Sequence, residues 1–217
     1  MQDIIIRKYK TEDREAVRRI CCETAFMGEP LEVFFSGRQI FADLFTSYYT
    51  DYEPESLFVA EFKGEVVGYL MGCLDTAKKG KIFSRRILPR LLLDSFFRGI
   101  FLKRKNGAFF MNFLKSLLRG EFIQPKIPSG YPAHLHIDIQ RSFRRSGIGT
   151  MLMNAYLEYL AKNNVPGVHL GTFSGQGRSF FLKSGFIPLW EAKTSLWRYI
   201  LEKDIPVSAL AKKIVPV

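Results

Sequence analysis

Two hydrophobic periodicities alternate along the chain. Ile4-Ile5-Ile6-Arg7-Lys8-Tyr9 reads as a strand, and Ala16, Val17, Ile20 and Cys21 then fall on one helical stripe, with Thr11 as the expected N-cap. Ile40, Phe41, Leu44 and Phe45 mark a second helix. Ser56–Phe62 and Glu65–Cys73 are β-rich runs meeting at Lys63-Gly64, which predicts a tight antiparallel hairpin. His134–Ile139 alternates with period two. Gly147–Lys162 carries Ile148, Leu152, Ala155 and Tyr159 on one stripe and ends at Asn163-Asn164 and Pro166. Val168–Thr172 reads as a short strand and Arg178–Lys183 as a short helix stopped by Gly185. Final strands are expected near Phe186–Trp190 and Ser195–Glu202. Strands alternating with helices after a hairpin predict an α/β fold, a mixed and mostly antiparallel sheet flanked by helices, within a single domain over residues 1–217.

Charge divides this domain. The net charge is +11, and residues 76–119 hold twelve basic side chains against one acid, Asp94, so the rest of the chain is neutral. The stretch at about 76–130 therefore reads as a basic helical insertion between the third and fourth strand positions. Its apolar positions, from Ile87 and Leu91 through Phe96, Ile100, Phe109 and Phe113 to Leu117, recur at helical spacing. A break near Asn106-Gly107 makes two amphipathic helices that form a flap over the sheet.

With 47% hydrophobic and 24% charged residues the chain can fill a core without staples. Three cysteines, Cys21, Cys22 and Cys73, give neither a disulfide framework nor a C-x-x-C zinc site, and the adjacent pair reads as helix packing. The apolar run near Met1 is too short for a signal-peptide core, so a reducing cytoplasm is the expected setting. No stretch reaches the ~18 apolar residues of a spanning helix; Ile87–Leu102 is interrupted by Arg90, Asp94 and Arg98.

Candidate chemistry concentrates in Ile137–Leu152, where a strand runs into a basic turn and then into glycines at the mouth of an amphipathic helix. A helix N-terminus presents unpaired N–H groups and partial positive charge, so an anion docks there without a side chain. Gly147 and Gly149 allow a phosphate close to the backbone, and Arg141, Arg144 and Arg145 add charge. Neither common nucleotide fingerprint is present: there is no G-x-x-x-x-G-K-[ST], and no third glycine completes G-x-G-x-x-G.

Arg144-Arg145-Ser146-Gly147-Ile148-Gly149 resembles the acetyl-CoA motif [Q/R]-x-x-G-x-[G/A] of the GCN5-related N-acetyltransferase (GNAT) family. The resemblance covers nearly the whole chain outside the insertion, including Phe180–Phe186 in place of the family's F-Y-x-x-x-G-F and a terminal strand at Trp197–Asp204. Tyr131–Ile139 and Gly167–Gly171 look especially like the acetyltransferase-like branch related to O-GlcNAc hydrolases. The resemblance implies acetyl-CoA as co-substrate, with Arg144 among the cofactor-binding residues and the amides of Arg145, Ser146, Gly147, Ile148, Gly149 and Thr150 around the pyrophosphate. The backbone of Ile137 and Ile139 would meet the pantetheine arm where this strand splays from its neighbour, with Ser174 nearby. Direct attack by a primary amine in a ternary complex then needs a group to take the amine's proton.

Asp138, on the strand that contacts the acetyl group, is the leading base. His136 is the second choice, its ordinary pKa of ~6.5 suiting proton transfer. His134, His136 and Asp138 share a strand face, yet no zinc spacing accompanies them, and no metal is expected. Phe181 stands where many members carry a tyrosine that donates to the departing thiolate. That loss sustains a rival, a non-catalytic acetyl-CoA-binding module that uses its basic insertion for partners or a membrane surface. Phe26, Tyr48, Tyr49 and Tyr52 are candidates to line an acceptor site for a small-molecule or peptide amine, although clustered tyrosines are more often packing. Nucleic acid is the least supported partner, peripheral membrane contact fits the basic amphipathic helices, and exposed sheet edges point to a homodimer.

Overall fold

A computed structural model describes residues 4–215. Its seven strands are β1 (Ile4–Lys8), β2 (Leu57–Phe62), β3 (Glu65–Cys73), β4 (Ala133–Ile139), β5 (Gly167–Thr172), β6 (Ile187–Thr194) and β7 (Ile205–Lys213). They form one sheet in the order β1-β2-β3-β4-β5-β7-β6. Every pairing is antiparallel except β4 with β5.

The sheet separates two apolar cores. One lies under α1 (Arg14–Glu23) and α2 (Arg38–Asp51), the other under α6 (Ile148–Lys162) and α7 (Gly175–Lys183). β3 is buried from Val66 to Cys73 because it is covered on both faces, which accounts for its nearly unbroken apolar run. Gly72 is required by this sandwich, since a Cβ there would lie 2.2 Å from the Tyr156 hydroxyl on α6. That hydroxyl donates to the carbonyls of His134 (3.0 Å) and Cys73 (3.3 Å), fastening α6 to the start of β4.

The predicted hairpin is present: Lys63 and Gly64 both adopt positive φ, and β2 pairs β3 from Leu57↔Met71 to Phe62↔Glu65. Three local expectations are corrected. Asp13 rather than Thr11 precedes the first helix as its N-cap residue; Thr11 opens a short 3-10 turn before it, and the Asp13 carboxylate accepts the Lys10 N–H at 2.8 Å. The last strand is not Ser195–Glu202 or Trp197–Asp204. Residues Arg198–Leu201 form a short helix, α8, and the strand is β7. Trp197, Ile200 and Leu201 pack instead onto the first core, where the Trp197 ring lies 4.8 Å from Phe34 and 5.1 Å from Phe26.

Between β3 and β4 the chain forms α3 (Thr76–Ile82), a π-type turn (Phe83–Ile87), α4 (Leu88–Phe97) and α5 (Arg104–Leu118). The expected break at Asn106-Gly107 lies inside α5, and the chain turns earlier, at Gly99, which takes a left-handed φ of 59°. Asn106 is fully buried: its side chain accepts from Ser36 N and donates to the carbonyls of Ser36 and Ile100. Phe109 completes the dock, packing on Phe34, Phe35 and Trp197. No helix among the described residues is long and apolar enough to cross a membrane.

Candidate active site

β4 and β5 pair only at Ala133↔Val168 and His134↔His169, then part. On its other edge β4 stays paired with β3 through Gly68↔Ile139, and Gln140 N–H donates to Val67. Antiparallel ladders alternate, so His134, His136 and Asp138 spend their main-chain groups on β3, whereas those of Ile137 and Ile139 face the opening toward β5. The side chains divide in the opposite sense. Ile137 and Ile139 pack with the α6 core, and the two histidines and Asp138 stand on the α1–α2 side beside Tyr69, Met71 and Cys73.

The opening ends at α6. Gly147 sits at its N-cap with φ 84°, a conformation that calls for glycine, and Arg145 is also left-handed at 61°. The first main-chain bond of the helix is Met151 N–H to Gly147. The six consecutive N–H groups from Arg145 to Thr150 have no acceptor among the described residues, as expected at a bare helix N-terminus. Gly149 serves a different purpose, because a Cβ there would press on the Phe180 ring at 3.3 Å and on Ile139 at 3.4 Å. Arg144, expected to add charge here, turns inward: its guanidinium donates to the carbonyls of Ile139 (3.1 Å) and Gly28 (3.0 Å). It ties the end of β4 to the loop after α1.

Asp138 and His136 are in contact, with Nε2 2.9 Å from Oδ2. The same carboxylate oxygen accepts from Tyr69 at 2.7 Å. Tyr69 is fully buried, and burial together with the adjacent carboxylate holds its phenol well above the ordinary value, so it remains a donor. Exposure grades outward, from Tyr69 through Asp138, whose side chain is 17% exposed, to His136 at 42%. Burial alone would lower the His136 pKa, but the charge and hydrogen bond of Asp138 outweigh it and the pKa is raised above 6.5. Tyr69 was not visible as a site residue from spacing in the sequence; it becomes one through the register Tyr69↔Asp138.

A second polar cluster lies where the strands part. Lys79 of α3 donates to the Tyr49 hydroxyl at 2.6 Å, and that hydroxyl is 3.5 Å from His134 Nδ1. Burial lowers the Lys79 pKa, and burial with the nearby Lys79 and His169 drives His134 well below 6.5, leaving it neutral at pH 7. The buried Glu53 accepts from Tyr48, Ser56 and Leu74 N. Tyr48 and Phe26 are thus structural: Tyr48 is spent on Glu53, Phe26 is buried against Phe34 and Trp197, and Tyr52 stacks on Tyr48. Of the four aromatic residues considered for the acceptor, Tyr49 alone reaches a β4 side chain.

Ser174 caps α7, accepting from Gly177 N at 3.2 Å. Phe181 is buried between Phe180 and Phe186. Cys21 and Cys22 are both buried in the α1 packing face.

Residues 119–186 match the acetyltransferase (GNAT) family. The whole chain superposes on SsHAT with 25% identity and TM-score 0.70, covering 98% of this chain and 99% of the other. It also resembles yncA, a putative acetyltransferase from Salmonella typhimurium solved with its cofactor acetyl-CoA, at 11% identity and TM-score 0.59 over 99% and 95% of the two chains. For the Drosophila melanogaster polyamine N-acetyltransferase, which catalyses formation of N-acetylagmatine, the values are 12% and 0.58 over 97% and 100%.

Proposed function

The chain has the GNAT acetyltransferase fold, and its family match and structural neighbours both support membership of that family; from this we propose that it moves an acetyl group from acetyl-CoA to a primary amine by direct attack in a ternary complex. The observation that carries the proposal is the opening between β4 and β5, which leads to six unpaired N–H groups at the mouth of α6. An extended amide-bearing arm can add to the free edge of β4, and a pyrophosphate suits the amide row. The fit is specific in kind: the main chain of Ile137 faces the opening, the row from Arg145 to Thr150 offers donors to an anion, and the left-handed Gly147 offers no Cβ to an approaching anion.

When bound, acetyl-CoA supplies the activated acetyl group. The β4 edge orients that group, and the amides of residues 145–150 hold the phosphates. His136, the more exposed partner, takes the proton of the incoming amine, while Asp138 steadies the imidazolium and Tyr69 fixes Asp138. Lys79 and His134, with the buried Tyr49 behind them, border the acceptor side. Phe181 carries no hydroxyl where many members have a tyrosine, so the thiolate leaves without help from this side chain; a thiol acidity of ~8.5 permits this. Placement beside the branch related to O-GlcNAc hydrolases rests on the runs Tyr131–Ile139 and Gly167–Gly171.

Calorimetric titration with acetyl-CoA, CoA and ATP tests the site. Micromolar binding selective for the CoA compounds is expected. Thr150→Glu sets a carboxylate in the exposed first turn of α6, where an acid favours the helix yet repels phosphate. It should weaken acetyl-CoA binding at least ~10-fold without loss of folding, on the scale of about 1.4 kcal/mol. Undiminished binding in the variant, or none in the parent, refutes the cofactor site. Binding without thiol release across a panel of amines would favour the non-catalytic reading that Phe181 keeps open.

A further inference from the structure

A helix on a protein surface ordinarily buries its leucines and phenylalanines and exposes its polar residues. α4 departs from this. It buries Leu91 and Ser95 and turns Leu92, Leu93, Phe96 and Phe97 outward, the two phenylalanines being 72% and 76% exposed. The turn that follows continues the pattern, with Phe101 exposed and Leu102 89% exposed. Six large apolar side chains thus project from eleven consecutive residues, far from the isolated exposed leucine that any surface tolerates.

Cations surround this tip. Arg85, Arg86 and Arg90 precede it, Arg98 interrupts it, and Lys103 and Arg104 follow. All six are exposed, and none is paired with a carboxylate among the described residues. The sole acid of the stretch is Asp94. Burial on the protein's own core explains the other side of the segment, which Asn106 and Phe109 anchor, but not this one.

We propose that the α4–Gly99 tip docks on an anionic lipid surface, its leucines and phenylalanines entering the acyl boundary and its arginines and lysines meeting the headgroup phosphates. The two halves of the surface select this partner together. Apolar insertion and attraction to anionic headgroups are the two components of interfacial binding. A second copy of the chain would bring one stretch of twelve basic residues against another. A nucleic acid would use the cations and leave six apolar side chains in water. This docking does not depend on the acetyl-transfer activity.

The test is co-sedimentation of the full chain with phosphatidylcholine vesicles and with vesicles of roughly one-third phosphatidylserine, near 0.1 M salt, where charges act over ~10 Å. Binding to the phosphatidylserine vesicles, little to phosphatidylcholine alone, and weakening as salt rises are expected. Phe96→Ser/Phe97→Ser should reduce binding at least ~10-fold, and so should Arg85→Gln/Arg86→Gln/Arg90→Gln. All five positions are exposed, so far-ultraviolet circular dichroism and the thermal midpoint should match the parent. The proposal falls if the parent does not bind phosphatidylserine vesicles, or if the phenylalanine variant binds as the parent does. It also falls if sedimentation velocity shows a dimer that the same variant abolishes, which would give the face to a second copy.

Discussion

Asn106 is the pin that fixes the basic segment to the rest of the molecule, and its removal has a calculable consequence. The side chain is fully buried and makes three bonds, 2.7 Å from Ser36 N and 2.9 and 2.8 Å to the carbonyls of Ser36 and Ile100. Asn106→Ala leaves one donor and two acceptors without partners. An orphaned buried group costs about 1–3 kcal/mol, and water reaching the partly exposed Ser36 and the space left by the amide recovers part of that, so a loss of about 3–5 kcal/mol is expected. That is a large share of the 5–15 kcal/mol that holds a typical protein folded. With a urea m-value of about 2 kcal/mol/M, the unfolding midpoint should fall by roughly 1.5–2.5 M at unchanged m. Asn106→Asp sharpens the reasoning: it keeps an acceptor for Ser36 N but sets a carboxylate against two carbonyls, and should be at least as damaging. A midpoint shift below roughly 0.5 M in Asn106→Ala, under about 1 kcal/mol, would refute the argument.

Two further predictions concern pH. Glu121 accepts from the Thr194 and Ser195 hydroxyls and from Ser195 N; burial pushes its pKa up, but these bonds outweigh burial and leave it below 4.5. A depressed carboxylate stabilises the fold above its unfolded pKa and loses that contribution as pH falls through the folded value. The stability gap between the parent and Glu121→Gln should therefore be widest above about pH 5 and close on acidification, as urea midpoints between about pH 3 and 6 would report; a gap that widens toward acid contradicts the reading. His136 has the opposite sign, since its folded pKa is raised. Its contribution relative to His136→Gln should be complete below about pH 6 and vanish as pH rises through the folded value, while acetyl transfer should climb over the same interval as the imidazole becomes free to accept a proton. Thermal midpoints and initial rates check both, and a pH-independent difference would sink the assignment.

What the sequence disclosed was local in origin. Lys63-Gly64 fixed the hairpin, and Gly147 with the stripe Ile148, Leu152, Ala155, Tyr159 fixed the helix behind the proposed anion site, because turn chemistry and periodicity act over a few residues. The misreadings were cases of tertiary override. Asn106-Gly107 has the composition of a turn, yet the buried amide finds three backbone bonds, at Ser36 and Ile100, and stays inside α5. Trp197–Leu201 has the aromatic and branched composition of a strand, yet its side chains complete a cluster with Phe26, Phe34 and Phe109, and the chain turns as a short helix to place them. Tyr69 and Lys79 were illegible as site residues for another reason. Their partners lie 69 residues away at Asp138 and 30 away at Tyr49, and only strand register and helix docking bring them together.

The same register explains how one strand serves two tasks in the proposed reaction. Consecutive β4 residues alternate both the direction of their main-chain groups and the face of their side chains. Ile137 therefore offers its N–H and carbonyl, and Ile139 its N–H, to the opening, and both send apolar side chains to the α6 core, while His136 and Asp138 give their backbone to β3 and titratable groups to the other face. The group that orients a cofactor arm and the group that accepts a proton are adjacent in the chain, so their separation is set by covalent geometry and needs no loop to close. Tyr69 adds the one restraint that alternation does not supply: β3 places it directly opposite Asp138, and its buried hydroxyl holds the carboxylate that holds His136. Arg144 acts likewise at the far end, pinning the Ile139 carbonyl to the α1–α2 loop so that β4 leaves the sheet in a fixed direction before the chain enters the turn at Gly147.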